Sequence, residues 1–328
     1  MKYINKKLTI ENVKVQNIAK RYGTPAYCYS YNQLKENINN FKKSFKSFSP
    51  LICFAIKSNT NVNLITEIRK LGLGADVVSI GELMKALKAG IKPNKIVFSG
   101  VGKTAEEIKY AINKKILLIN AESKSEIFEI ERLAKKNKKI VNVGIRLNPN
   151  VDAKTLSQIS TGKKENKFGI GEKDFLELVK YINKSKNLNL KCLSVHIGSQ
   201  ILSHRPYEKM LYVLSRVIEK TKFHFDYIDL GGGMGIDYEN NNKKLNLQKY
   251  ALSIKNFIKS LTEKLLLWTG ERWIISLSKN SDAKSIYEQN MEHKSSKLSQ
   301  FTRSETAKLI QETFQILVWH FYGLNYPL

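Results

Sequence analysis

Short apolar runs recur along most of the chain, each followed by a longer stretch in which apolar residues return at helical spacing. The runs are Ile52–Lys57, Ala75–Ser79, Ile96–Gly100, Ile116–Asn120, Val141–Leu147, Leu193–Gly198 and Tyr227–Leu230. They are rich in Val, Ile and Leu and nearly continuous, the pattern of parallel strands covered on both faces. Between them, Ile80–Ala89 carries Leu83, Ala86 and Leu87 on one face, and Ser123–Lys135 carries Ile127, Ile130 and Ala134. The stretches Phe175–Ile182, Tyr207–Thr221 and Leu247–Thr262 behave alike. Seven strands alternating with helices predict an α/β fold on a parallel sheet.

Polar positions choose between a doubly wound sheet and a closed barrel. Lys57, Ser79, Gly100, Asn120, Asn148, His196 and the glycines from Gly231 all fall at or just after strand C-termini. A (β/α)₈ TIM-type barrel converges those ends on one face, whereas a doubly wound sheet gathers ligands at one switch point. The expectation is a barrel over residues 26–263. Its eighth strand is in doubt: the candidates Leu265–Trp268 and Trp273–Leu277 do not end in a polar site, and without one the barrel is open beside its first strand. Residues 1–25 read as a lead-in, with apolar–polar alternation around Leu8–Val15, a short helix at Ile18–Tyr22 and a turn at Gly23-Thr24-Pro25. Ala26–Ser30 reads as a strand outside the barrel. Residues 264–328 form a divergent tail. In it, Ser276–Ser299 is polar, Thr302-Arg303-Ser304-Glu305 is a capping box, a helix is expected within 302–319, and Trp319–Leu328 is apolar.

Composition narrows the class. With 328 residues, 42% hydrophobic and 10% aromatic, the chain is globular. No apolar run reaches the roughly 18 residues of a membrane span, and no apolar leader follows the first lysines. The expectation is a soluble cytoplasmic protein with no membrane partner. The net charge of +26 comes from 47 Lys and only 8 Arg, scattered over helix surfaces. Nucleic-acid recognition favours Arg, so no nucleic-acid partner is expected. A positive field does draw anionic ligands. Cys28, Cys53 and Cys192 are odd in number and far apart, which predicts mostly buried, reduced thiols and no metal site.

Three anchors carry candidate chemistry. Phe54-Ala55-Ile56-Lys57-Ser58-Asn59 ends an apolar strand in lysine. Desolvation favours the neutral amine that attacks an aldehyde cofactor, although a strand-end lysine can also snorkel to water. Asp229-Leu230-Gly231-Gly232-Gly233 places glycines after the seventh strand, where backbone amides cradle phosphate or simply make a tight turn. His196-Ile197-Gly198-Ser199-Gln200 offers a flat ring and a hydroxyl donor, or a satisfied core histidine. Arg146 sits within a strand and needs a carboxylate partner if buried. Asp76 and Glu82 can supply one, in a structural ion pair as readily as in a catalytic role.

An aldehyde-binding lysine, a flat ring partner and a phosphate cradle suit pyridoxal 5'-phosphate. The motifs carrying a family resemblance are Tyr22–Pro25, Ala55–Asn59, Gly74–Ser79, Gly81-Glu82-Leu83, Phe98–Thr104, Arg146–Asp152, Thr161-Gly162, Lys167–Ile170, His196–Gln200 and Gly231–Gly233. In order and spacing they resemble the diaminopimelate decarboxylases. The resemblance implies that Lys57 holds the cofactor, His196 stacks on its ring, Ser199 and Gly231, Gly232 and Gly233 bind its phosphate, and Asp76, Glu82 and Arg146 support the site. It also implies an amino-acid substrate, meso-diaminopimelate decarboxylated to lysine, and a homodimer. A related decarboxylase of arginine, ornithine or carboxynorspermidine, or a non-catalytic cofactor-binding barrel, stays open.

The resemblance stops after about residue 262. The family's Glu-Pro-Gly-Arg motif at strand eight, whose glutamate pairs with the pyridinium nitrogen, has no match; Thr269-Gly270-Glu271-Arg272 has the wrong order. No cysteine follows Cys192 to supply the family's Cys-Glu-Ser motif. The remaining residues are too few for the family's C-terminal β domain. Little or no activity is expected of the chain as it stands.

Overall fold

The computed structural model describes residues 2–48, 50–153, 168–236, 244–268 and 317–321. The chain opens with an antiparallel sheet of β1 (Lys2–Ile4), β2 (Lys7–Ile10) and β3 (Val13–Lys14), then α1 (Val15–Tyr22) and α2 (Tyr31–Ser44). Strand–helix units follow: β4 (Ile52–Ala55) and α3 (Val62–Lys70), β5 (Gly74–Val77) and α4 (Ile80–Lys88), β6 (Ile96–Phe98) and α5 (Ala105–Lys114), β7 (Leu118–Ala121) and α6 (Lys124–Lys136). Next come β8 (Val141–Leu147) and α7 (Glu172–Ile182), β9 (Leu188–Val195) and α8 (Arg205–Thr221), β10 (Tyr227–Gly231) and α9 (Leu247–Trp268), and finally β11 (Leu317–Phe321). The parallel strands close into a barrel in the order β10-β11-β4-β5-β6-β7-β8-β9.

All seven expected strands are present, and the differences are informative. β9 begins at Leu188 and ends at Val195, so His196 is the first residue beyond the strand. Ala26–Ser30 belongs to no strand, and Tyr27 is 92% exposed there. Leu265–Trp268 is the end of α9, and Trp273–Leu277 lies outside the described residues. The eighth place is taken by Leu317–Phe321, with Trp319 opposite Ile52 and Leu317 opposite Ile228. The barrel is therefore closed, not open beside β4. Of the helix expected within 302–319, residues 302–316 lie outside the described residues and the last three are strand. Thr161-Gly162 and Lys167 also lie outside them. Cys53 and Cys192 are buried, but Cys28 is exposed. No described helix is long and apolar enough to cross a membrane.

Side chains alternate across a strand, so each barrel strand sends every second residue inward. Read from bottom to mouth, the inward series are Cys53 then Ala55, Leu118 then Asn120, Cys192 then Ser194, and Tyr227 then Asp229. The lowest layer is an apolar plug of Cys53, Val97, Leu118 and Cys192. The next layer is polar: Asn120 Nδ2 donates to Asp229 Oδ2 at 2.9 Å, and Ser194 Oγ donates to the same oxygen at 3.0 Å. Burial, and next the carboxylates of Asp76 and Asp229, push the Cys53 thiol up. Outward-facing residues build the main core against the helices, including Phe54, Phe98, Ile119, Val143, Ile145 and Leu193.

A repeated cap starts three successive helices. Ser79, Thr104 and Ser123 accept the N–H of Glu82, Glu107 and Glu126 respectively, at 3.3, 3.3 and 3.1 Å. The Ser/Thr-x-x-Glu spacing returns each carboxylate to the backbone: Glu82 to Val78 N–H, Glu107 to Thr104 N–H and Glu126 to Glu122 N–H, all at 2.9 Å. Glu107 also takes Ile80 N–H at 2.9 Å, so one carboxylate caps α5 and the start of α4. Burial alone would raise its pKa, but the N–H groups of Thr104 and Ile80, the Thr104 hydroxyl and Lys103 hold it below the ordinary glutamate value. Its contribution is present above the unfolded-state pKa and lost as pH falls through the lower folded value. Glu107→Ala should cost about 1–2 kcal/mol at neutral pH. Urea unfolding of both proteins across the acid range should show the difference shrinking as pH falls.

Candidate active site

β4 ends at Ala55 and the backbone turns into a 3-10 segment, Ile56–Ser58, locked by Ser58 Oγ donating to Ala55 O at 2.7 Å. This turn carries Lys57 out of the strand to the mouth, where it is exposed. Of the two readings of Lys57, the fold presents the side chain that reaches water and not the desolvated amine. Asp76, 2% exposed, lies on β5 opposite Ala55. Glu82 is half-buried at the start of α4. Burial raises its pKa, Val78 N–H opposes that, Asp76 raises it further, and Lys57 and Lys85 pull it down. Lys57, Asp76 and Glu82 thus form one electrostatic group.

Arg146 pairs with neither Asp76 nor Glu82. Its Nη1 donates to both carboxylate oxygens of Glu122 at 2.9 Å, and Glu122 is 4% exposed. The reason is register: β7 lies between β5 and β8 with β6, and Ala121 is the partner of Ile145, so the first residue after β7 meets Arg146. Arg146 Nη2 donates to His196 O at 3.4 Å, and its guanidinium lies 5.0 Å over the Phe168 ring. Phe168 is held there because Ile170 pairs with the end of β8, through Ile170 N–H to Arg146 O and Asn148 N–H to Ile170 O at 2.8 Å.

The glycine turn is tied on three sides. Gly231 N–H donates to Asp229 Oδ1 at 2.9 Å, Gly232 N–H donates to His196 Nδ1 at 3.2 Å, and the buried Tyr207 hydroxyl donates to Gly232 O at 3.0 Å. Gly231 and Gly233 have φ of +67° and +83°. A Cβ on Gly233 would overlap the Gly198 carbonyl oxygen, so the two turns pack backbone to backbone. Two of the three glycine amides are thus committed internally. Among the described residues, neither the Gly233 N–H nor the Ser199 hydroxyl has a partner within the protein, and both flank His196.

These residues fit a planar phosphate-bearing aldehyde. His196 is half-buried, and the bond into Nδ1 fixes its ring and leaves the proton of the neutral form on Nε2. Only β11 separates β4 from β10, so Lys57 and the glycine turn are two strand spacings apart, each roughly 4.8 Å.

The comparisons with known proteins agree with this geometry. The pyridoxal binding domain of pyridoxal-dependent decarboxylases matches residues 31–269. Diaminopimelate decarboxylase of Helicobacter pylori strain J99 is 39% identical over 282 residues, covering 85% of this chain and 69% of that protein. The chain belongs to the diaminopimelate decarboxylase family. Its relative from Aquifex aeolicus is 38% identical over 274 residues, covering 82% of this chain and 64% of its own. The crystal structure of the Helicobacter pylori decarboxylase complexed with L-lysine superposes with a TM-score of 0.73 at 41% identity, over 76% of this chain and 64% of that one. The crystal structure of diaminopimelate decarboxylase from M. jannaschii gives a TM-score of 0.75 at 31% identity, over 80% of this chain and 63% of that one. The chain thus spans about two thirds of the length of these decarboxylases. A second profile, the C-terminal part of DNA polymerase III gamma and tau subunits, matches residues 236–315.

Within this decarboxylase barrel the sequence reading passed over Glu122 and gave Asp229 no role. The signal for both was a two-residue step: Glu122 follows Asn120 inward, and Asp229 precedes Gly231. Gly233→Ala should strain the turn by about 1–3 kcal/mol and force it off Gly198. Thermal melting should show the loss, and an absorbance titration should show weakened uptake of pyridoxal phosphate.

Proposed function

We propose that the chain binds pyridoxal phosphate at the C-terminal mouth of its barrel and that its lineage decarboxylates meso-diaminopimelate to lysine. The observation that carries this reading is the shared mouth of Lys57, His196 and a glycine turn whose Gly233 amide has no partner among the described residues. Lys57 Nζ is the group that takes the cofactor aldehyde. His196 presents its ring face to the pyridine, held in place through Nδ1. Ser199 Oγ and the Gly233 N–H donate to the phosphate, while Asp229 and Tyr207 keep the turn in shape. When bound, the cofactor supplies an electron sink for the pair left behind as carbon dioxide departs. Glu82, whose pKa burial raises, lies within electrostatic reach of Lys57. The substrate is a small amino acid, the compartment the cytoplasm, and the assembly a homodimer.

A second reading is favoured by one feature. The strand-eight place is filled by Leu-Val-Trp-His-Phe, which has no carboxylate to pair with a pyridinium nitrogen. The chain then binds the cofactor but turns over little. Borohydride reduction of the loaded chain followed by peptide mapping should place the pyridoxyl group on Lys57, and Lys57→Ala should abolish it. Carbon dioxide release from meso-diaminopimelate should fall well below about 1 per second. An ordinary enzymic rate would overturn the second reading, and failure to load Lys57 would overturn the first.

A further inference from the structure

We propose that Glu122 is a positioning residue for His196, acting through Arg146. Glu122 sits at the crossing of a hydrogen-bonded chain that runs around the mouth. Lys103, whose side chain is wholly buried, donates to Gly100 O at 2.6 Å, Asn120 O at 2.8 Å and Glu126 Oε1 at 2.7 Å, which uses all three of its protons. Glu126 takes the Glu122 N–H with its other oxygen. The Glu122 carboxylate takes Gly100 N–H at 2.9 Å and both bonds from Arg146. Arg146 reaches His196 O, and His196 Nδ1 receives Gly232 N–H.

The chemistry of the links gives the direction of control. A buried guanidinium without its carboxylate is strongly unfavourable and moves towards another acceptor or solvent. His196 O is the backbone acceptor that Arg146 holds on the far side from Glu122. Moving Arg146 therefore releases the main chain of His196, and with it the ring nitrogen that holds Gly232. Phe168 keeps the guanidinium plane in place from below but carries no charge to replace Glu122. Lys103 and Glu126 act one step further out, fixing the backbone from which Glu122 projects.

The test uses the full chain without cofactor, so that it does not depend on the proposed function. Amide exchange at Gly232 is compared with that at the core residues Ile119 and Val143 in the parent and in Glu122→Gln, which can still accept from Gly100. Exchange at Gly232 should accelerate at least about tenfold more than at the core. Acceleration no greater than that of the core would overturn the proposal. Glu131→Gln, which removes a surface carboxylate, should leave Gly232 as in the parent. If Glu122→Gln does not fold, the double variant Glu122→Gln with Arg146→Met removes both charges together and should fold with the same fast Gly232 exchange; slow exchange there overturns the proposal equally. Titration with pyridoxal phosphate should show affinity reduced by a similar factor in the variant. If the parent itself takes up no pyridoxal phosphate, the cofactor reading fails while the exchange measurement still decides the role of Glu122.

Discussion

The structure turns on a carboxylate enclosed within the barrel. Asp229 is 0% exposed, and a buried carboxylate is tolerated only when its oxygens are bonded. Asn120 and Ser194 satisfy one oxygen, and the Gly231 amide satisfies the other. Three strands are thereby joined inside the barrel, and the end of β10 must bend back over its own side chain. The resulting left-handed backbone at Gly231 favours glycine, and a Cβ there would overlap Val195 O, so a side chain does not fit. Gly144 is glycine for a related reason: the Asn120 side chain lies against it, and a Cβ would displace the amide that Asp229 needs.

From that layer the barrel is graded along its axis. Below it, cysteine and aliphatic side chains form a dry plug. Above it stand Glu122, Arg146 and His196, which continue the two-residue periodicity of their strands, and Lys57, which a 3-10 turn carries to the mouth. The two buried charges, Glu122 and Arg146, are paired with each other and each is also bonded to the backbone of another unit, at Gly100 and His196. The helix caps extend this outward: Glu107 reaches from α5 to Ile80, and Glu122 from the end of β7 to Gly100. In these two places a strand–helix unit is stitched to the one before it by a carboxylate.

Closure of the barrel and completion of its chemistry are separate requirements. A parallel strand is held by backbone N–H and C=O groups, which any residue but proline supplies. Leu317–Phe321 meets that requirement between β10 and β4. Chemistry at the same place needs a particular side chain, and this segment brings no carboxylate. A segment can therefore close the barrel whatever side chains it brings to that place.

The sequence by itself determined the strand–helix alternation, because a strand covered on both faces must be apolar throughout. It also placed Lys57, His196, Ser199 and Gly231–Gly233 at strand ends, since those polar residues interrupt apolar runs at fixed points. Helix α2 was harder to single out, because its few apolar residues stand among Asn and Lys; it buries only Leu34, Ile38 and Phe41. Three things were decided only by tertiary structure. The eighth strand came from a segment far along the chain, because pairing depends on a vacant edge and not on sequence distance. Arg146 chose Glu122 over Asp76 and Glu82, because inter-strand register sets which side chains meet. Lys57 emerged exposed, because one 3-10 turn redirects the backbone after Ala55. Periodicity reports which face a residue takes along its own element, whereas partners across elements are fixed by register and closure, which no single segment encodes.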